Sequence, residues 1–551
     1  MGLIERRIGL LFALFVCAFA LIVARAAWLQ GIQGGEFRAD AQGQQTETVV
    51  VPGSRGAILD RNGDELAISR DAATIVATPY QVKDPERTAN KLARALDQNP
   101  NVILRTLADR DSGFAYVARK VDLPTAERIR KMKLAGIGAV PDSERIYPQG
   151  ELASQIVGSV GIDNQGLSGL EASEEPVLHG TTGEREVVRD ALGKELERNT
   201  LAGAETGESL RLSIDANLQA GTEEVLQNLA ATYSPKGATA IVMDPNTSEV
   251  LAMANYPAAD PSDPGSATQQ ELANRATGYT YEPGSTFKAF TVAGALEAGV
   301  VNPETMFDLP PTIQVADRVI EESHPRGYVT LSVADILAQS SNVGAVKVGL
   351  ETGAKRFDAW IRKFGFGEPT GIDFPGEEQG IVPHPDEYSG STMGNLPIGQ
   401  GLSVTPIQMA AAYSAIAGGG VLHPPRVILR EGSERVPEPE GRRVISRGNA
   451  AKLRLMLKGV LAPGGTASEV SVPGYTLAGK TGTAEKVIDG GYSESQFVAS
   501  FVGFAPADDP QLLVAIVVDE PQGDYYGATV AAPAFGEIAK FALPYLGVET
   551  N

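Results

Sequence analysis

The hydrophobic pattern changes character several times along the chain. Residues 8–24 are uncharged and almost wholly apolar, near the lower limit for a bilayer span. Arg25 interrupts the run, and Ala26, Ala27, Trp28 and Leu29 carry it on. An arginine near a helix end reaches the headgroups, and Trp28 suits the interfacial belt. Residues 31–45 are polar and glycine-bearing, a juxtamembrane stretch. Residues 48–51 and 57–60 predict short strands, the second followed by Asn62-Gly63, a hairpin signal because such turns need positive φ. Residues 87–96 and 124–132 carry helical patterns, and residues 145–193 are rich in turn formers.

From about Gly207 the pattern changes. Residues 210–214 predict a strand and 217–230 an amphipathic helix. Two apolar runs, 238–243 and 249–254, flank Asp244-Pro245-Asn246-Thr247-Ser248, which is turn chemistry, so they predict a hairpin. Residues 497–504 and 512–518 predict a second hairpin around residues 506–510. Helical patterns lie mostly between the two. One antiparallel sheet covered by helices is the simplest packing, an α+β arrangement.

Composition narrows the function. A chain of 551 residues exceeds one typical core, so two or three domains are expected, and an apolar fraction of 43% suits globular domains. A net charge of −21 argues against nucleic-acid binding, which needs basic surface. The one cysteine, Cys17, lies in the apolar run, so no disulfide framework or thiolate metal site can form beyond it. His179, His324, His384 and His423 show no metal-ligand spacing, and no G-x-S-x-G occurs. No metal or cofactor is expected. Arg6 and Arg7 precede the apolar run, which places the N-terminus in the cytoplasm and the bulk outside. A cleaved signal peptide is the rival reading, since Ala24-Arg25-Ala26 weakly resembles a cleavage site, but the run is long for a signal-peptide core.

Three short motifs carry candidate chemistry. In Glu282-Pro283-Gly284-Ser285-Thr286-Phe287-Lys288, Pro-Gly breaks the chain and Ser285 opens a predicted helix to about Glu297. Residues three apart share a helix face, so the Lys288 amine can reach the Ser285 hydroxyl. The structural alternative is a plain helix cap. Ser340-Ser341-Asn342 lies between two helical patterns and reads equally well as a capping turn. Lys480-Thr481-Gly482-Thr483 follows residues 475–478, which predict a strand, and a strand glycine permits close approach of a substrate backbone. Singly these are weak signals. Together they occur in the order S-x-x-K, S-x-N, K-T-G, a set closely related to that of penicillin-binding proteins and class A β-lactamases.

The chain resembles the class B penicillin-binding proteins well beyond that triplet. Arg55-Gly56-Ala57-Ile58-Leu59-Asp60-Arg61-Asn62-Gly63, Arg145-Ile146-Tyr147-Pro148 and Gly166-Leu167-Ser168-Gly169-Leu170-Glu171 are similar to family signatures. So are Gly399-Gln400-Gly401 leading to Thr405-Pro406, and Tyr526-Gly527 leading to Ala531-Ala532-Pro533. Tyr281-Glu282-Pro283-Gly284 resembles the division-specific subgroup. Ser248 departs from a frequent glycine and Gly418 from a frequent asparagine; neither touches the triplet.

The resemblance implies a single transmembrane helix (1–30), an elongated N-terminal pedestal or dimerisation-like domain (31–205) and a transpeptidase domain (206–551). It implies a peptidoglycan D,D-transpeptidase, inhibited covalently by β-lactams, that acylates Ser285 with a stem peptide ending in D-Ala-D-Ala. Lys288 is the candidate base, although which group serves is disputed among relatives. Ser340 would relay a proton, Asn342 hold the substrate amide, and Lys480, Thr481 and Thr483 receive the donor carboxylate beside Gly482. The backbone N–H groups of Ser285 and Thr483 would take the oxyanion. The implied partners are a SEDS-family glycosyltransferase and other cell-wall synthesis proteins. Arg55, Arg61 and Glu171 are candidate docking residues, with internal salt bridging as the alternative. A β-lactam-sensing receptor, a non-catalytic division scaffold and a class D β-lactamase are the rival readings.

Overall fold

The computed structural model describes residues 2–31, 46–189, 195–488 and 490–550. Residues 32–45 of the juxtamembrane stretch and 190–193 of the turn-rich stretch lie outside the described residues. The apolar start forms one helix, Gly2–Gly31. Within it Arg6–Gly31 spans 26 residues, and its most apolar window has a mean hydropathy of 2.5 with no residue buried. At about 1.5 Å per residue that length exceeds the ~30 Å of a bilayer core.

The chain divides into two compact units and passes between them several times rather than once. The first comprises Met1–Ser54, Asp71–Ser143 and Gly180–Gly207. Here Thr46–Val51, Gly183–Arg189 and Glu195–Ala202 form a three-stranded antiparallel sheet. Helices Pro85–Leu96, Pro100–Ala108 and Leu123–Lys131 border a small core that includes Ile75, Leu92, Ile103, Leu107 and Ile129. Each helix starts from an acidic or amide cap with proline in its first two positions. Asp84 accepts from Arg87 N, Asn99 from Asn101 N and Asp122 from Thr125 N.

The second unit comprises Arg55–Arg70, Glu144–His179 and Glu208–Asn551. Its elements around the sheet are α1 (Ala216–Tyr233), β1 (Gly237–Met243), β2 (Val250–Tyr256), α2 (Lys288–Glu297), α3 (Val333–Ala338) and α4 (Asn342–Thr352). Then come α5 (Pro406–Ala417), β3 (Ala478–Ile488), β4 (Gly491–Ala505), β5 (Leu512–Asp519) and α6 (Gly527–Tyr545). Both expected hairpins form, β1 with β2 and β4 with β5. The sheet order is β2-β1-β5-β4-β3, antiparallel throughout, with β3 on an edge. Strand side chains alternate faces. Ala240, Val242, Val514 and Ile516 join one core with α1 and α6. Ile241, Met243, Leu513 and Ala515 join another with α2, α3 and α5. Burial on both faces is why β1 and β5 read as unbroken apolar runs. Ser248 closes the first hairpin turn at φ 59°, a conformation that favours glycine.

Two expectations need correction here. Residues 475–477 are not strand. Tyr475 N closes a tight turn on Val472 O (3.1 Å) after Gly474, and β3 begins only at Ala478, so the K-T-G motif lies within the strand. Arg55 and Glu171 are buried in internal ion pairs, the alternative to docking. Glu171 is fully buried and clamped by Arg55 Nη2 (2.8 Å) and Arg145 Nε (2.6 Å), and Arg55 Nη1 also meets Glu175 (2.6 Å). Arg145 Nη1 further donates to Gly56 O at 2.8 Å. The network ties the segments around residues 55, 145 and 171 together inside this unit. Arg61 is partly exposed and pairs with Glu249 at 3.3 Å.

Candidate active site

Ser285 does not open the α-helix directly. Gly284–Phe287 form a 3-10 turn, and α2 starts at Lys288. The turn is set by Gly284, at φ 53°, whose N–H donates to Gly399 O (3.0 Å). A Cβ there would lie 3.1 Å from Thr483 O and 3.2 Å from Ala484 Cβ, so the glycine lets this turn seat against β3. Gly482 allows the same approach from the other side: its Cβ would lie 2.9 Å from Thr286 Cγ2 and 3.0 Å from Pro283 O. Thr286 Oγ1 donates to Pro283 O (2.7 Å) and Tyr413 Oη to Thr286 O (2.6 Å). Below it, Phe287 and Phe290 pack with Phe366 and Tyr413 at ring separations of 4.9–5.5 Å. Ser285 itself is half-buried.

Ser340 owes its place to the way α3 ends. Its N–H donates to Leu337 O (3.3 Å) and that of Ser341 to Ile336 O (2.9 Å). This is a Schellman motif with Ser340 in its left-handed position, φ 60°. Glycine is the usual occupant; here a hydroxyl stands there. Ser341 caps α4, accepting from Gly344 N (2.9 Å), and Asn342 is the first helical residue. The capping reading therefore describes Ser341.

The geometry converges on Ser340. Lys288 Nζ donates to Ser340 O (2.6 Å) and Asn342 Oδ1 (2.7 Å) and lies 3.2 Å from Ser340 Oγ. Lys480 Nζ donates to Ser340 Oγ at 2.9 Å and to Thr481 O at 3.1 Å. Both lysines are buried, at 1% and 0% exposure. Burial lowers Lys288 to about 7, against the pull of Glu322. Burial, reinforced by Lys288, holds Lys480 well below its ordinary value. The expected Lys288–Ser285 hydrogen bond is not made; the Lys288 amine is engaged by Ser340 and Asn342. Thr481 Oγ1 lies 2.8 Å from Thr466 Oγ1, and Thr483 Oγ1 accepts from Gly527 N at 3.0 Å.

Sequence reasoning missed the groups that hold the S-x-N turn. Glu322 accepts from Ser341 Oγ (2.7 Å) and Asn342 N (2.7 Å), and Arg326 Nη2 bonds Glu322 (2.6 Å) and Ser341 Oγ (2.6 Å). They lie between short strands in Glu321-Glu322-Ser323-His324-Pro325-Arg326, where no periodicity marks them.

A half-buried hydroxyl, two buried lysines sharing a second hydroxyl, and an edge strand beside them form a site suited to nucleophilic acyl transfer. The comparisons agree. The penicillin binding protein transpeptidase domain matches residues 238–540, and the penicillin-binding protein dimerisation domain matches residues 50–212. Stage V sporulation protein D of Bacillus subtilis is 35% identical over 98% of this chain and 86% of its own. Peptidoglycan D,D-transpeptidase FtsI of Escherichia coli is 33% identical over 100% of this chain and 93% of its own. Penicillin-binding protein 3 of Mycobacterium tuberculosis, solved with aztreonam, superposes with a TM-score of 0.71 at 30% identity, covering 91% of this chain and 98% of that one. With the transpeptidase match alone spanning more than half its length, this chain belongs to the penicillin-binding protein transpeptidase family.

Proposed function

We propose that this chain is a membrane-anchored peptidoglycan D,D-transpeptidase of the division type, using Ser285 as nucleophile. The observation that carries the reading is the pair of buried lysines sharing the Ser340 hydroxyl, with Lys288 three residues along the chain from Ser285. Serine needs a base, and a lysine serves only when neutral. Burial brings Lys288 into that range. A donor carboxylate arriving at Lys480, Thr481 and Thr483 stabilises the charged form of Lys480. That charge in turn favours the neutral form of Lys288.

Ser285 Oγ then attacks the penultimate D-Ala carbonyl as its proton passes to Lys288. The N–H groups of Ser285 and Thr483 receive the oxyanion. Collapse breaks the peptide bond and releases D-Ala, whose amine is protonated from Lys288 through Ser340. Asn342 orients the donor amide. An amine of a second stem attacks the ester, forms the crosslink and restores Ser285. β-Lactams enter by the same acylation, and slow attack of water on the ester is expected to leave the adduct in place. Covalent trapping at Ser285 tests this reading.

Ser340→Gly separates chemistry from folding. A non-glycine residue in the left-handed region costs about 1–2 kcal/mol, of which glycine's extra chain entropy returns ~0.5–1. The variant is expected to unfold at equal or slightly higher denaturant while its acylation rate falls on the order of 10²-fold or more, as loss of a proton-transfer group does. Near wild-type acylation would remove Ser340 from the proton path.

The apolar helix supports a single membrane span, and Arg6 and Arg7 support a cytoplasmic N-terminus with the catalytic unit outside. A SEDS-family glycosyltransferase is the proposed partner. Since Arg55 and Glu171 are spent on internal pairing, the docking face is to be sought elsewhere on the N-terminal segments. The division into anchor (1–30), pedestal (31–205) and transpeptidase domain (206–551) is proposed as the functional one.

A further inference from the structure

Asp519, the last residue of β5, is 2% exposed and stands where two parts of the site meet. Its Oδ2 accepts from Arg275 Nη2 (2.8 Å), and its Oδ1 accepts from Tyr279 Oη (2.9 Å) and Lys486 Nζ (2.7 Å). Arg275 and Tyr279 belong to the segment that runs into Ser285, and Lys486 lies on β3 just beyond Thr483. One carboxylate therefore holds both the approach to the nucleophile and the strand that carries K-T-G.

Each leg is itself fixed. The Arg275 guanidinium lies 4.2 Å over the Tyr279 ring and against Gly237, where a Cβ would come within 2.5 Å of Arg275 Cζ. The Arg275 N–H donates to Asn255 Oδ1 on β2 (3.0 Å). Tyr279 stacks on Tyr281 at 6.1 Å, and Tyr281 exchanges backbone hydrogen bonds with Val404 (3.0 and 2.9 Å) shortly before the Ser285 turn. On the other side, Ala484, Val498 and Asp519 lie in one row across β3, β4 and β5. The β3–β4 register shifts between Glu485 and Val487, so Lys486 sits at a bulge, where the ladder is interrupted. From there its side chain reaches back over β4 to Asp519 and to Glu520, which Lys236 shares at 3.2 Å.

Burying ions costs desolvation that can exceed the attraction between them, so the hub is better read as a device for geometry than for stability. The reaction needs that geometry. The two oxyanion donors in the reading above, the N–H groups of Ser285 and Thr483, come one from each part, so their spacing depends on how β3 seats against the turn. A misplacement of about 1 Å costs on the order of 10²-fold in rate.

We propose that Asp519 is a positioning residue for acylation, clamping the segment before Ser285 to β3 through Arg275, Tyr279 and Lys486. The proposal rests on the transpeptidase reading and adds to it a residue that acts only through others. Lys486→Met tests it, because that change cuts the β3 leg alone and leaves Arg275 and Tyr279 on Asp519. The full chain in detergent is acylated over a series of benzylpenicillin concentrations, which separates the dissociation constant of the first complex from the acylation rate constant. Lys486→Met is expected to lower the rate constant about tenfold or more, with the dissociation constant within about twofold of wild type. It should still reach one adduct per chain, and the midpoint of the rate's pH dependence should not move. Lys486→Arg keeps a donor for Asp519 and should recover to within about threefold of wild type. A rate constant within about twofold of wild type in Lys486→Met overturns the proposal. So does a loss confined to adduct stoichiometry, which marks unfolding, or to the dissociation constant, which marks a direct ligand contact by Lys486. Lys486→Arg as slow as Lys486→Met overturns it as well. If penicillin does not label wild-type Ser285 at all, the transpeptidase reading fails and the clamp with it; normal labelling with an unaffected Lys486→Met sinks the clamp alone.

Discussion

Lys288→Met is expected to fold and to lose acylation by 10²- to 10⁴-fold, the range that a positioned general base supplies. The methionine keeps most of the buried volume and removes a buried amine whose charge burial already disfavours. The wild-type rate should depend on pH with a definite sign. Below about 7 Lys288 carries its proton and cannot take that of Ser285; above it the amine is free, so acylation rises through about 7 and then levels. Lys288→Arg should be as inactive as Lys288→Met, because guanidinium stays protonated throughout. Second-order acylation rates with a β-lactam, measured across pH for all three proteins, check this. A variant within about tenfold of wild type would move the base role to another group.

Glu171→Ala is expected to produce the largest loss of stability away from the active site. Glu171 is fully buried and neutralises Arg55 and Arg145, themselves 3% and 7% exposed. Removing one partner of a buried ion pair costs about 3–5 kcal/mol, because the remaining charge stays buried without compensation. Here Arg145 loses its carboxylate, while Arg55 keeps Glu175. Urea unfolding of the full chain should show a marked fall in midpoint, insensitive to moderate salt because the network is shielded from solvent. A loss below about 1 kcal/mol would mean that the surrounding segments relax and let water reach the arginines.

Much of the sheet was legible because its chemistry is local. The apolar runs of β1 and β5 and the Asp244-Pro245-Asn246 turn carry their own instructions. The triplet was legible as three motifs in order, and the fold brings Lys288, Ser340, Asn342 and Lys480 to one point. What the sequence concealed is non-local. The left-handed backbone of Ser340 follows from a helix end that would ordinarily use glycine, and no pattern announces it. Glu322 and Arg326 reach the S-x-N turn across 15 to 20 residues of irregular chain. The repeated passage between the two units depends on pairings such as Arg55 with Glu171, separated by 116 residues. The start of β3 was misplaced because Tyr475-Thr476-Leu477 has strand composition but follows a Gly474 turn that ends on Val472.

The identity of the acylated side chain tests the central claim most directly. The full chain is exposed to benzylpenicillin, freed of excess drug, followed by intact mass over hours, then digested and mapped. The account predicts one adduct per chain, on the peptide containing Ser285, persisting long after the drug is gone and absent from Ser285→Ala. An adduct retained by Ser285→Ala, or a rapid return to the unmodified mass with turnover of the drug, would contradict it.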